Sequence, residues 1–169
     1  MAADFSWIEA NATAGDTDVP TNCNLGSVNS IDLAPSTYPI TAGTYSYSKW
    51  IRGWWGGTFT RIENLQFWMS SSDTGYVSEE QINCSATTSS YGGTTTYATP
   101  TNSEADAQAN NTIVVADPGA ANVGFTGVLT SSLEATGYSD FIVIQASIGS
   151  GAPAGATQTK QFRLQYDEV

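Results

Sequence analysis

A chain of 169 residues suits one domain whose core needs neither a metal nor a dense disulfide network. With 16 acidic and 5 basic residues its formal charge is −11, which opposes phosphate backbones and anionic lipids, so neither nucleic acid nor a membrane is an expected partner. Charged residues make up only 12%, while a 40% apolar fraction with 5 Trp, 8 Tyr and 6 Phe argues against disorder.

At the start of the chain, Met1 precedes Ala-Ala-Asp-Phe-Ser-Trp with no basic or apolar leader pattern. The expectation is cytoplasmic synthesis without a secretory signal. No run approaches the ~18 apolar residues of a membrane span. Strand character begins at 5–10. The stretch 12–44 is rich in Thr, Asn, Pro and Gly, and Pro20, Pro35 and Pro39 each block continuous ladder pairing. The organisation predicted is one domain over 1–169, with 1–44 as an extended arm carrying short edge strands such as 24–28.

Two aromatic-rich strands follow, 45–55 and 58–69, and Gly56-Gly57 between them reads as a hairpin turn because glycine tolerates positive φ. Along the second, Ile62, Asn64, Gln66 and Trp68 alternate with Glu63, Leu65, Phe67 and Met69, with a bulge or twist expected to rotate the faces part-way. Further strand patterns lie at 76–85, 94–98, 112–116 and 124–133, and the polar piece 102–111 reads as a loop with one turn. Near the end, 140–148 and 160–166 read as a terminal hairpin. Phe141-Ile142-Val143-Ile144 is apolar on both faces, which marks a central strand covered on each side. In the last segment Phe162, Leu164 and Tyr166 alternate with Arg163, Gln165 and Asp167, the pattern of a half-buried strand. No window holds a helical period over three turns. The fold class predicted is all-β, an antiparallel β-sandwich of jelly-roll or immunoglobulin-like type.

The chain contains no histidine, which removes the commonest general base, the usual catalytic triad and most zinc or iron sites. Glu79-Glu80, Asp16 with Asp18, Glu104 with Asp106, and Asp167-Glu168 are acids on loops or strand ends, without the facing geometry a glycosidase requires. They are expected to be solvated. Hard-cation sites at Asp16 with Asp18, or Asp73 with Glu79, are weak alternatives without the EF-hand spacing. No phosphate loop is present, because Gly53, Gly56 and Gly57 lack a following Lys-Ser/Thr. The expectation is therefore no enzyme and no cofactor. Cys23 and Cys84 are expected as free buried thiols, a disulfide formed after release from the cell being the alternative.

The one dense chemical feature is the aromatic cluster Tyr45, Tyr47, Trp50, Trp54, Trp55, Phe59, Phe67 and Trp68, with Lys49, Arg52 and Arg61 beside it. Core or subunit interface is the first reading, and stacking on sugar rings is the second. Trp54 and Trp55 are consecutive on a strand, so they point to opposite faces. The candidate partner-binding residues are Lys49, Trp50, Arg52, Trp54, Trp55 and Arg61.

At Ala42-Gly43, Lys49-Trp50-Ile51-Arg52, Asn64-Leu65-Gln66-Phe67-Trp68, Gly137-Tyr138-Ser139-Asp140-Phe141-Ile142-Val143-Ile144-Gln145 and Phe162-Arg163-Leu164-Gln165-Tyr166-Asp167-Glu168, the chain resembles small all-β virion proteins of tailed bacteriophages, most of all those that decorate the head. The resemblance implies a non-enzymatic protein on the capsid exterior that binds the assembled major capsid protein and reinforces it, commonly as a homotrimer. Contacts are expected from the region around residues 49–61 or from the proline-rich arm. The competing expectation is a carbohydrate-binding or receptor-binding module of a tail or fibre.

Overall fold

The computed structural model describes residues 2–11, 15–17, 21–70, 80–87, 95–103, 112–153 and 159–169. All regular structure among them is β: β1 (Ala3–Asn11), β2 (Gly15–Thr17), β3 (Lys49–Gly57), β4 (Ile62–Met69), β5 (Glu80–Cys84), β6 (Gly137–Tyr138), β7 (Ile142–Ile148) and β8 (Phe162–Glu168). Every ladder is antiparallel. The larger sheet runs β2-β1-β3-β7-β5, with the short β6 also paired to β3, and β4 with β8 forms the second sheet. The chain is thus all-β and sandwich-like, as its composition and turn chemistry predict.

Alternation along each strand decides which side chains meet between the sheets. Ile51 and Trp55 of β3, Ile82 and Cys84 of β5, and Ile142 and Ile144 of β7 close on Ile62, Leu65, Phe67 and Met69 of β4. Phe5 and Trp7 of β1, and Phe162, Leu164 and Tyr166 of β8, pack against this core from partly buried positions. The opposite face of the larger sheet carries a smaller cluster of Ala10, Trp50, Phe141 and Val143, capped by Tyr97 from segment 95–103. The same segment is tied down by Gln145, whose amide donates to the carbonyls of Ser46 at 2.9 Å and Ser103 at 3.0 Å. β7 is therefore buried on both faces, as its doubly apolar run predicts.

Two expected hairpins do not exist. Gly56 and Gly57 belong to β3, opposite Asp4 and Ala3 of β1. Because β1 occupies one edge of β3 while β6 and β7 occupy the other, β4 has no place beside it and starts the second sheet. For the same reason β7, held between β3 and β5, cannot pair with β8, which lies against β4.

The expected bulge in β4 is present. Its register against β8 shifts between Glu63 and Gln66, with Asn64 at φ 57. The extra residue re-aims the strand so that Ile62 joins Leu65, Phe67 and Met69 in the core, where strict alternation would oppose them.

The strand expected at 5–10 is present as β1, which Phe5 and Trp7 anchor to the core. Within the expected arm, β2 is a short edge strand, whereas 21–44 carries no strand and the expected 24–28 is irregular. Residues 95–98, 113–116 and most of 124–133 form no ladder either. The 112–133 stretch instead runs along the outer edge of β4 and satisfies it piecemeal. Ile62 and Leu133 exchange bonds of 2.9 Å, Met69 N–H donates to the Val114 carbonyl at 2.9 Å, and Asn122 N–H donates to the Leu65 carbonyl at 3.0 Å. Of the expected loop 102–111, only 102 and 103 lie within the described residues.

Candidate functional site

The six candidate contact residues do not form one surface. Lys49 is 1% exposed, its Nζ 2.6 Å from Glu9 Oε1 and also donating to the Ser30 carbonyl. Trp50 lies under Tyr97 in the smaller cluster. Trp55 is fully enclosed, edge-on to Tyr166 at 5.3 Å and Phe125 at 5.8 Å. These three residues are enclosed by their own chain, which takes them out of the candidate surface. Arg61 sits beside the second sheet, paired with Glu63 through contacts of 2.8 and 3.0 Å. Arg52 and Trp54 remain, on the outer face of β3.

Around them the fold builds a platform from residues distant in sequence. β6 pairs Tyr138 with Trp54 and Gly137 with Trp55. The Arg52 guanidinium carbon lies 3.9 Å from the centre of the Tyr138 ring and 4.5 Å from that of Phe141. Tyr138 is 39% exposed, while Phe141 is buried beneath. Trp54 lies along its own strand over Gly56: a Cβ on that glycine would fall 2.3 Å from Trp54 Cη2. Gly53 has the same relationship to Trp55 on the inner face, at 2.4 Å. The run Gly-Trp-Trp-Gly-Gly is thus two interleaved glycine–indole pairs, one for each face of β3.

The position of Tyr138 is set by polar groups beneath it. Ser139 N–H donates to the Gly53 carbonyl at 2.9 Å, and its hydroxyl accepts from Gly53 N–H at 3.0 Å. The pairing of β3 with β6 and then β7 carries one extra residue between Tyr138 and Ile142, which turns Phe141 under Arg52. Asp140, 4% exposed, accepts from Gly127 N–H at 3.0 Å on both carboxylate oxygens. Gly127 closes a two-residue turn with Thr126, at φ 82 and 53, the left-handed pair that a tight hairpin demands. Burial holds the Asp140 carboxyl above its ordinary range, against the opposing influence of the Gly127 amide and the Arg52 charge.

Chemically the platform is a weakly hydrated cation laid on ring faces beside an indole. Such a group suits carboxylates, peptide carbonyls or the polar rims of stacked sugars. Among the described residues no group of three or more His, Cys, Asp or Glu could hold a metal ion. The side chains of Asp16, Asp18, Asp73, Glu79, Glu104 and Asp106 lie outside the described residues. Asp167 and Glu168 are exposed, accepting from Asn64 Nδ2 and Ala3 N–H, each at 3.0 Å. Both cysteines are unpaired, and burial pushes each thiol up to about 12. No helix among the described residues is long and apolar enough to cross a membrane.

Tyr138 and Phe141 are the functional candidates that sequence reading missed. Their apolar neighbourhood marks a strand, but the 54-to-138 pairing that makes them a platform leaves no local pattern. The glycines flanking the tryptophan pair are the signal that points to it, since a bulky indole folded along a strand needs a neighbour without a side chain. No protein-family model, curated protein or solved structure matches the chain.

Proposed function

We propose that this chain is a non-enzymatic docking protein whose platform of Arg52, Trp54 and Tyr138 engages a protein lattice, that lattice being the assembled capsid of a tailed bacteriophage. The platform carries the reading, because it is a solvent-facing aromatic and cationic group on an otherwise acidic chain. Aromatic residues and arginine are the types that dominate protein contacts, and a cation already resting on rings costs less to desolvate than a free one. The capsid as partner comes from the resemblance to head-decorating virion proteins, and so does a position on the particle exterior. The reading does not depend on the threefold assembly which that resemblance implies.

The test is co-sedimentation with intact heads built from the major capsid protein encoded with this chain. Wild type is expected in the pellet at a fixed ratio to capsid protein. Tyr138→Ala and Trp54→Ala are expected to weaken retention at least about tenfold, the range of a truncated interface anchor. Undiminished binding by both variants sinks the platform, and no binding by wild type sinks the capsid.

A second reading is favoured by one feature, the Trp54 indole lying over Gly56 beside the exposed Tyr138 ring. Paired aromatic surfaces of this kind stack on sugar faces. Retention on a glycan array that Trp54→Ala abolishes, without capsid binding, would assign the platform to a tail or fibre carbohydrate module.

A further inference from the structure

The two edges of the second sheet are treated differently by the fold. The outer edge of β4 is satisfied by Leu133, Asn122 and Val114. Among the described residues β8 pairs with β4 alone. Its backbone direction follows from the bonds at its ends: Gln161 accepts from Ser70 N–H at 2.8 Å, and Val169 exchanges bonds with Arg61. Odd-numbered residues therefore turn their backbone groups toward β4. Phe162, Leu164, Tyr166 and Glu168 turn theirs away, with no ladder partner among the described residues. A long open edge of this kind accepts another strand.

The same edge borders an open groove of about 550 Å³. It is lined by Trp7 and Trp68 together with Phe162, Arg163, Leu164, Gln165 and Tyr166 of β8. The three β8 residues facing inward are only partly buried, so their apolar faces are unfinished where the sheet stops.

Charge selects the occupant. A net charge of −11 makes two copies repel over most of their surface. Lys49 and Arg61 are engaged with Glu9 and Glu63, and Arg52 rests on two rings. Arg163 lies near the beginning of β8, exposed, and Asp167 and Glu168 lie exposed at its end. A strand basic at one end and acidic at the other is complementary to itself when antiparallel.

We infer that β8 is a self-pairing edge, through which a second copy of this chain joins antiparallel about a two-fold axis at Leu164. That register sets Leu164 against its own copy and Phe162 opposite Tyr166, completing the apolar rim. It also sets Arg163 diagonal to Asp167. All backbone groups brought together are those turned away from β4, so the second sheet becomes a continuous four-stranded sheet across the dimer. The neighbouring outer edge of β1 offers Asp4 as its charged side chain over residues 3–8 and lacks this self-complementarity.

Sedimentation equilibrium of the free protein over a concentration series tests this independently of the platform, which lies on the other sheet. The expected result is a reversible monomer–dimer equilibrium. Arg163→Glu and Asp167→Arg should each weaken it at least about tenfold, and the double exchange should restore it to within about threefold. Both positions are exposed, and near-ultraviolet circular dichroism checks that each variant is folded. In hydrogen exchange the amides of Leu164 and Tyr166 should be protected above the dissociation constant and exposed below it. A monomer at every concentration, or an assembly insensitive to both charge reversals, overturns the inference. Failure to bind capsids or glycans leaves it standing.

Discussion

The side-chain amide of Asn122 stands in for a neighbouring strand at Phe67: Nδ2 donates to the Phe67 carbonyl at 2.8 Å, and Oδ1 accepts from Phe67 N–H at 2.7 Å. One buried asparagine thus satisfies both backbone groups of a core strand residue, closing the edge of β4 that β8 leaves open on the other side of the sheet. Asn122→Ala strands both groups in the interior, where an unmade hydrogen bond costs about 1–3 kcal/mol. Equilibrium denaturation should show a loss of about 2–4 kcal/mol, a large share of the stability of a small domain. Asn122→Asp, which keeps an acceptor and loses the donor, should also destabilise.

The paired glycines of β3 should separate stability from binding. In Gly53→Ala the new methyl meets the buried Trp55 ring at 2.4 Å and Phe5 Cε2 at 3.0 Å. Core overpacking of this kind costs about 1–3 kcal/mol, visible as a lower melting temperature. In Gly56→Ala the clash is with Trp54, which lies on the outer face and can swing into solvent. Stability should fall by less than in Gly53→Ala, while retention on the partner falls as in Trp54→Ala.

The Lys49–Glu9 pair is enclosed at 1% exposure on both sides, with Glu9 Oε2 meeting no hydrogen-bond partner among the described residues. Lys49→Met leaves that carboxylate buried without its cation and should cost about 3–5 kcal/mol at neutral pH. Adding Glu9→Leu should recover most of the loss, because two apolar side chains need no solvation.

Burial raises the Glu9 carboxyl above its ordinary 4.5, although Lys49 opposes the shift. The Thr21 side chain, followed by the Asn22 amide, lowers Asp32 below 3.8. The two therefore act oppositely on stability. Glu9 binds its proton more tightly in the folded state, so its contribution is full below 4.5 and is lost as pH rises through the folded value. The contribution of Asp32 is present above 3.8 and is lost as pH falls through its lower folded value. Carboxyl NMR titration should place the two midpoints on opposite sides of their ordinary values, and midpoints in the reverse order would contradict the burial of Glu9.

With both thiols at about 12, the folded protein should react slowly with iodoacetamide at pH 8 and rapidly once denatured. Rapid labelling of native Cys84 would mean that the core opens locally around β5.

How far the chain can be read without its fold depends on the range of the interaction. Alternation at 162–166 and the doubly apolar run at 141–144 are local patterns, and they correctly announce a half-buried strand and a central strand. The absence of histidine is complete in the sequence as well. Partner choice among strands is long-range. Gly56-Gly57 carries the chemistry of a hairpin turn, yet both edges of β3 are filled by β1, β6 and β7, and that competition overrides the local signal.

The platform follows the same rule. Alternation places Trp54 and Trp55 on opposite faces, but which indole is enclosed depends on where the second sheet packs. Arg52 rests on Tyr138 because the β3 to β6 pairing brings residues 54 and 138 together across the chain. Backbone periodicity is a property of a few consecutive residues and is written in them. Burial and pairing are shared among segments that compete for the same edges and the same core, so they exist only once the sheets have closed.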